Sequence, residues 1–331
     1  MRHCRRIILA AAAALFVTSP QIVAAKQHRV AIVLPDEEWA SSVVGLKEGM
    51  TALGYAEGKD IVYLMDDARG DQTRMLESTK KFVAEKPDAI YTVTNTALKV
   101  VADATHASKT PVIFGSASGP VESGLVRGYV TPDSHVTGVT SGSIELVQKR
   151  LEILKQVLPR VKTIAAIGDL EADSSKAAFR LAEETARQLG LKLKPIRVTS
   201  REHAIESAKK ITAKDADAIF LIPGLYSVSA VTGIAAQAKN ARLPFGVYQL
   251  EHIKIPGALL SYGSSYYLDG KQSAGLLDKV LKGVPPGQLP IERPRQVQLI
   301  LNVDTAKDIG ISFRPDILSR ADELIEAAKS P

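Results

Sequence analysis

The chain has 331 residues, a length that suits about two domains. Apolar residues make up 45% and charged residues 24%, which is ordinary for a globular protein. The 42 lysines and arginines and the 36 acidic residues are interleaved without a basic stripe, so the composition argues against a nucleic-acid partner.

The first 25 residues differ from the rest. Three arginines precede the short apolar run IILAAAAALFV, and Val23, Ala24 and Ala25 are the small residues typical of a signal peptidase site. This pattern predicts a secretory signal peptide over 1–25 and therefore a periplasmic protein. The only cysteine, Cys4, precedes the apolar run, whereas a lipoprotein cysteine would follow it, so we expect no lipid anchor. No later segment is apolar over enough residues to predict a membrane span.

Short β-branched runs alternate with longer amphipathic stretches from residue 29 onward, a pattern typical of parallel βαβ units. In the first half, strands are predicted at 29–35, 60–66, 88–94 and 111–115, and helices at 40–54, 72–86 and 96–107. The pattern restarts after residue 140, with helices at 145–159, 174–190, 201–212 and 227–241 and strands at 163–169, 191–198, 217–223 and 244–249. The sequence therefore predicts an α/β protein with two Rossmann-like, doubly wound lobes.

The tail has a different order of elements. We predict a strand and turn at 258–265, a helix at 268–283, a proline-rich crossing at 285–294, a strand at 296–302 and a closing helix at 314–329.

Ligands of open α/β sheets collect at the carboxyl ends of the strands, so the strand-to-helix turns are the candidate site. Nearly all of these turns carry serine, threonine, asparagine or glycine. Helix capping would account for any one of them. Convergence of six such turns from two lobes would also create a site rich in N–H donors, which suits an anion. The turns are 35–42, 94–97, 115–120, 168–175, 223–229 and 262–265.

The sequence does not contain the usual motifs for catalysis or for cofactor binding. Ala117 stands where a nucleophile elbow needs serine, and neither a Walker A sequence nor a Gly-x-Gly-x-x-Gly follows a strand. No histidines have metal-ligand spacing. We therefore predict no catalytic residue, no metal and no cofactor, and a protein that is not an enzyme.

Five stretches of the mature chain resemble, in order, the ABC-transporter substrate-binding family that includes tryptophan- and tyrosine-binding members. They cover 52–63, 111–126, 135–159, 257–263 and 299–326. The resemblance implies the fold of a type I periplasmic binding protein, with two lobes joined by three crossovers and a hinge that closes on a ligand. It implies lobe one over 26–141 plus 253–290 and lobe two over 142–252 plus 291–331. The implied partners are a membrane permease and its ATPases, with the binding protein a monomer that does no chemistry.

Two departures from the family bear on the ligand. Gly119 stands where relatives often carry aspartate, and Gly224, Leu225 and Tyr226 stand where amino-acid-binding relatives tend to carry an acid. A buried ammonium group needs a carboxylate partner, and only Asp169 survives as a candidate. We therefore expect a small, partly apolar organic ligand, which can include a carboxylate, and expect Gly119→Asp to weaken its binding.

The candidate ligand-binding residues are those of the turns and the strand ends beside them. They are Trp39, Ser41, Thr94, Asn95, Thr96, Ser116, Ala117, Ser118, Gly119, Asp169, Ser174, Ser175, Gly224, Tyr226, Gln249 and Tyr262. Trp39 could form a stacking face at the cleft mouth that Tyr226, Tyr262, Tyr266 and Tyr267 join, although packing or the surface is favoured for Tyr266 and Tyr267. The predicted function is a solute receptor of an ABC importer, and the alternative is a sensor module that passes its closed form to a membrane signalling protein.

Overall fold

A computed structural model describes residues 26–130 and 134–326, so the predicted signal peptide and Cys4 lie outside the described residues. The strands are β1 (His28–Leu34), β2 (Ile61–Asp67), β3 (Ala89–Val93), β4 (Val112–Ala117), β5 (Val136–Thr140), β6 (Thr163–Asp169), β7 (Lys192–Val198), β8 (Ala218–Leu221), β9 (Phe245–Val247), β10 (Leu260–Gly263), β11 (Gln298–Asn302) and β12 (Glu323–Ile325). The helices are α1 (Ala40–Ala52), α2 (Gln72–Ala84), α3 (Asn95–Thr105), α4 (Val147–Val157), α5 (Asp173–Gln188), α6 (Arg201–Lys209), α7 (Leu225–Ser229), α8 (Val231–Asn240), α9 (Tyr266–Leu281), α10 (Val303–Ile309) and α11 (Pro315–Leu318).

The first sheet has five parallel strands in the order β2-β1-β3-β4-β5. Its central strands β3 and β4 are buried at every residue, as expected for a parallel sheet covered by helices on both faces. Helix α9 packs closely on α1 through glycines, because a Cβ on Gly45 would lie 2.0 Å from the carbonyl oxygen of Tyr267.

The second sheet has seven strands in the order β12-β11-β10-β9-β8-β6-β7. All neighbours are parallel except β10 and β11. The two sheets with their helices confirm the predicted α/β fold of two doubly wound lobes.

The chain passes between the sheets three times. It leaves β5 for α4, leaves β10 for α9, and returns to β11 after a stretch in which Glu292 bridges Val139 of the first sheet. The expectation counted 253–290 with lobe one. Strand β10, which falls within this range, instead pairs with β9 and β11 in the second sheet. Only the later part of the range, from about α9 onward, packs on the first sheet.

The predicted closing helix at 314–329 is wrong over most of the described part of that range. Helix α11 covers only four residues, and β12 then joins the second sheet beside β11. The strand is held in place by Asp322, whose N–H donates to Leu299 O over 2.8 Å and whose Oδ2 accepts from Leu299 N over 2.7 Å. Among the described residues, no helix combines the length and apolarity that spanning a lipid bilayer requires.

Candidate functional site

A cleft of about 500 Å³ lies where strand-to-helix turns of the two sheets meet. From the first lobe it is lined by Gln72, Asn95, Thr96, Lys99, Val100, Asp103, Ser123 and Leu125, and from the second by 169–174, Val198, Thr199 and Tyr226. This is the edge of the sheets at which ligands of open α/β folds bind.

A much smaller inner chamber adjoins the cleft and shares Asn95, Thr96 and Ser174 with it. The chamber measures about 20 Å³, which is room for about one water molecule. The other residues that line it are Trp39, Thr94, Ser116, Ser118, Gly224, Leu225, Tyr248 and Tyr266.

The amino ends of two helices, one from each lobe, meet at the inner chamber. Helix α3 begins at Asn95 after Thr94, whose hydroxyl accepts a hydrogen bond from Ala97 N over 3.2 Å. Helix α5 begins at Asp173, and no side chain caps it. Because the first N–H groups of a helix have no partner within it, these two ends present donors to an anion between the lobes.

Two residues at the chamber hold a backbone conformation that side chains rarely adopt. Thr94 has φ 72° and ψ 158°, and Ser116 has φ 51°. Thr94 directly follows β3, and Ser116 is the last residue but one of the neighbouring strand β4. Such strain costs about 1–3 kcal/mol per residue and is concentrated at binding sites.

Asn95 is buried at the junction of the chamber and the cleft. Its Nδ2 donates to Ser118 O and to Ser123 Oγ, both over 2.7 Å. Its Oδ1 is buried and has no hydrogen-bond partner within the described part of the chain. An unsatisfied buried oxygen of this kind is an acceptor available to a ligand donor.

Asp169 lines the cleft, but its carboxylate already has protein partners. It accepts hydrogen bonds from the N–H groups of Tyr226 and Ser227, each over 2.9 Å, at the start of α7. Burial raises the pKa of Asp169, and these hydrogen bonds work in the opposite direction. The one acid expected to face a ligand ammonium is therefore engaged with the backbone.

An aromatic wall closes the inner chamber. Trp39 and Tyr266 lie with ring centroids 6.2 Å apart, and His252 contacts Tyr266 at 5.5 Å and Tyr248 at 5.9 Å. The Tyr266 hydroxyl is buried and has no hydrogen-bond partner within 26–130 and 134–326. Tyr248 and Leu225 were not predicted, and Tyr266 was expected to serve packing or the surface. No periodic signal marks them as site residues.

Buried ionisable groups surround this wall. Burial lowers the pKa of His252 to about 3, so this histidine is neutral. The pKa of Glu38 is raised to about 7, mainly by burial and secondarily by the charge of the neighbouring Asp36. Glu38 Oε1 lies 3.4 Å from Nε2 of the buried His252, so the two groups are neighbours beside the wall.

Ten of the sixteen predicted residues line the cleft or the chamber, and six do not. Ser175 donates its hydroxyl to Pro223 O, and Gln249 Oε1 accepts from Ser264 over 3.1 Å. The carbonyl of Ala117 accepts from Thr140 and Ser141, so this residue belongs to the sheet. The other three residues that line neither space are Ser41, Gly119 and Tyr262.

Gly119 serves the backbone rather than the cleft. Its φ is 54°, and a Cβ there would lie 2.8 Å from Ile144 Cδ1. Tyr262 lies on β10 and packs against the apolar core of the second sheet. No group of three or more His, Cys, Asp or Glu among the described residues is placed to hold a metal ion. The geometry is thus that of a pocket that can enclose a small molecule.

Comparisons with known proteins identify the family and the fold. The family model described as ABC transporter substrate binding protein matches residues 29–325. The tyrosine-binding protein of Clostridioides difficile is 24% identical over 267 residues, which are 81% of this chain and 76% of that protein.

Two crystal structures share the fold over 91% of this chain and 100% of theirs. A conserved domain protein from Vibrio cholerae has 26% identity and a TM-score of 0.85, and an ABC domain from Streptococcus pneumoniae in complex with L-Trp has 22% identity and a TM-score of 0.84. Since the family model spans residues 29–325 of the 331, this chain belongs to the ABC transporter substrate binding protein family.

Proposed function

We propose that the protein is the periplasmic solute receptor of an ABC importer. It captures a small, partly apolar organic acid between its lobes by hinge closure. The observation that carries the proposal is the meeting of the α3 and α5 amino ends, one from each lobe, at a chamber walled by Trp39, Tyr248 and Tyr266. A ligand held by both ends stabilises the closed arrangement of the lobes.

The aromatic wall favours an apolar body, and the helix ends favour a carboxylate. The relatives named above are described as binding tyrosine and L-Trp. An amino acid would also bring an ammonium group, and Asp169 is already bonded to two backbone N–H groups, while Asp103, Glu171 and Asp173 line the wider cleft and not the inner chamber. We therefore favour an acid that does not depend on an ammonium contact, since a buried charge without a partner is costly.

The remaining parts of the proposal follow from the family and from the sequence. The protein is secreted through its signal peptide without a lipid anchor and works as a monomer. It delivers its ligand to a membrane permease driven by cytoplasmic ATPases. It performs no catalysis and binds no nucleic acid.

Native mass spectrometry of the protein purified from its host tests the proposal. We expect a small organic acid to co-purify. In Thr96→Trp an indole would fill the junction of the cleft and the chamber, so the acid should be lost. Thr51→Trp, on the exposed face of α1, is the matched control and should keep it. Retention of the ligand by Thr96→Trp would place the binding site elsewhere.

A further inference from the structure

Arg150 is a charged side chain buried completely in the second lobe. It lies on α4, and none of its surface is exposed. Its guanidinium carbon lies 5.0 Å from the ring centroid of Tyr248 and 5.6 Å from that of Phe220. Its Nη2 donates to the carbonyl of Ser143, in the first crossover between the lobes.

The charge of Arg150 has no carboxylate partner. Among the described residues Arg150 forms no ion pair, and its Nε and Nη1 are buried without hydrogen-bond partners. The main effect on its pKa is burial, which lowers the value to about 10, while Tyr248 and Glu145 act electrostatically in the opposite direction. A buried cation in this state is costly unless an anion comes near it.

Two short routes connect Arg150 with the inner chamber. Tyr248, whose ring the guanidinium covers, lines the chamber. Ser143, whose carbonyl Arg150 binds, donates its hydroxyl to Ser118 Oγ over 2.6 Å, and Ser118 also lines the chamber.

The hydroxyl groups of three serines donate hydrogen bonds to one another in one direction, toward the chamber. Ser141 donates to Ser143 over 2.9 Å, and Ser143 donates to Ser118. The hydroxyl proton of Ser118 remains for another acceptor, either Ser141 Oγ at 3.4 Å or a group in the chamber. A chain of hydroxyls that ends in a donor, beside a buried cation, is matched to an anion.

From these contacts, we propose that Arg150 is the specificity-determining charge of the binding site and selects a carboxylate in the inner chamber, acting through Tyr248 and the Ser143–Ser118 pair. The inference rests on the proposed receptor function and names the polar group of its ligand. The chamber has room for about one water-sized group, so one carboxylate oxygen would occupy it while the rest of the ligand lies in the adjoining cleft. Arg150 is a positioning residue here, since it lines neither the chamber nor the cleft.

The test compares acids with their neutral amides. The probes are 3-phenylpropionate with 3-phenylpropanamide and L-tyrosine with L-tyrosinamide, titrated calorimetrically into the full chain. We expect at least one acid to bind at least tenfold more tightly than its amide. Arg150→Met should reduce this ratio to about one, and Arg150→Lys should keep part of it. Arg197→Met is the control, since Arg197 stacks on Phe179 in the same lobe, with its guanidinium carbon 5.2 Å from the ring centroid.

A second readout separates selectivity from folding. Replacing an unpaired buried charge by an apolar side chain of similar size is often stabilising, so ligand-free Arg150→Met should melt no lower than the native protein. A merely structural arginine would lower the melting temperature and leave the ratio of acid to amide affinity unchanged. Ser143→Ala offers a milder variant and should lower the ratio in part.

Several results would overturn the inference. These are amides that bind as tightly as acids, a ratio that Arg150→Met preserves, or no binding by either pair. A neutral ligand that co-purifies and is lost in Thr96→Trp would also overturn it, while leaving the receptor function intact. Retention of ligand by Thr96→Trp would count against the receptor site itself.

Discussion

The hydroxyl of Ser116 donates to Oδ2 of Asp269 over 2.7 Å, and this contact joins the end of β4 to α9. The same oxygen accepts from Ser264 Oγ over 2.9 Å, in the crossover between β10 and α9. Ser116 also lines the inner chamber, so one buried carboxyl group connects the ligand site with the hinge.

Burial raises the pKa of Asp269 to about 8, although the hydrogen bonds from Ser116 and Ser264 lower it. Between about pH 4 and 8 the folded protein therefore holds a proton that the unfolded chain releases. The free energy of unfolding should fall as pH rises through this window, by at most about 1.4 kcal/mol per pH unit from this group. Urea unfolding between pH 6.5 and 8 measures it. Asp269→Asn should flatten the slope of the free energy of unfolding against pH, whereas Asp103→Asn, at an exposed position, should leave that slope unchanged. Equal slopes for the native protein and both variants would refute the raised pKa of Asp269.

His252 predicts the opposite dependence in acid. Its pKa is lowered to about 3 by burial, so between pH 6.5 and 3 the unfolded chain binds a proton that the folded protein excludes. The free energy of unfolding should fall as pH drops through this range. His252→Gln should lose less stability than the native protein between pH 6 and 4, measured by urea unfolding. The control is His106→Gln, because His106 is exposed. A steeper acid loss in His252→Gln than in the native protein would contradict this reading.

The contact between α1 and α9 predicts opposite effects for two glycines of one helix. A Cβ on Gly270 would lie 2.0 Å from Ser42 O, so Gly270→Ala should destabilise the protein by about 1–3 kcal/mol or more. A Cβ on Gly275 meets nothing within 4 Å, so Gly275→Ala should stabilise it by about 0.5–1 kcal/mol. Thermal unfolding of the two variants checks the prediction, which fails if both shift the melting temperature in the same direction.

The strained backbone of Thr94 predicts a stabilising glycine. Thr94→Gly relieves the conformation at φ 72° and loses only a few tenths of a kcal/mol of capping, so we expect a net gain of about 1 kcal/mol. Thr94→Ala keeps the strain and loses the cap, and should cost about 1 kcal/mol. Denaturant titration of the pair is the measurement. Equal free energies of unfolding for Thr94→Ala and Thr94→Gly would show that the backbone at this position is not strained.

The alternation of strands and helices was readable from sequence because apolar runs and amphipathic stretches have different periods. Strand β5 was missed because its VTGVT run is short and contains Gly138, which packs against Phe114. Strand β12 was mistaken for helix because its ELI segment has helix-favouring neighbours and is fixed only by the distant partner β11. Pairing between residues far apart in sequence overrides local preference.

The site was predictable only in part, for a similar reason. Thr94, Asn95 and Ser174 were identified because strand-to-helix turns have a recognisable sequence and a fixed place in the fold. Tyr248 follows the short strand β9 and Tyr266 begins α9 at the end of a crossover, and no periodic signal marks either residue as part of the site. Gly119 is the opposite case, a residue that was predicted to bind ligand but lines neither the cleft nor the chamber. It lies in the right turn, yet Ile144 faces its Cα, so Gly119→Asp should act through folding stability.

The order in which the chain visits the two sheets constrains its synthesis. Strand β10, an interior strand of the second sheet, is flanked by β11, which is made only after α9 has been added to the first lobe. A nascent chain that ends before residue 298 would therefore expose β10 as an open, pairing-competent edge. Neither lobe is a contiguous length of polypeptide, so a stable second lobe must wait until nearly the last residue has left the ribosome.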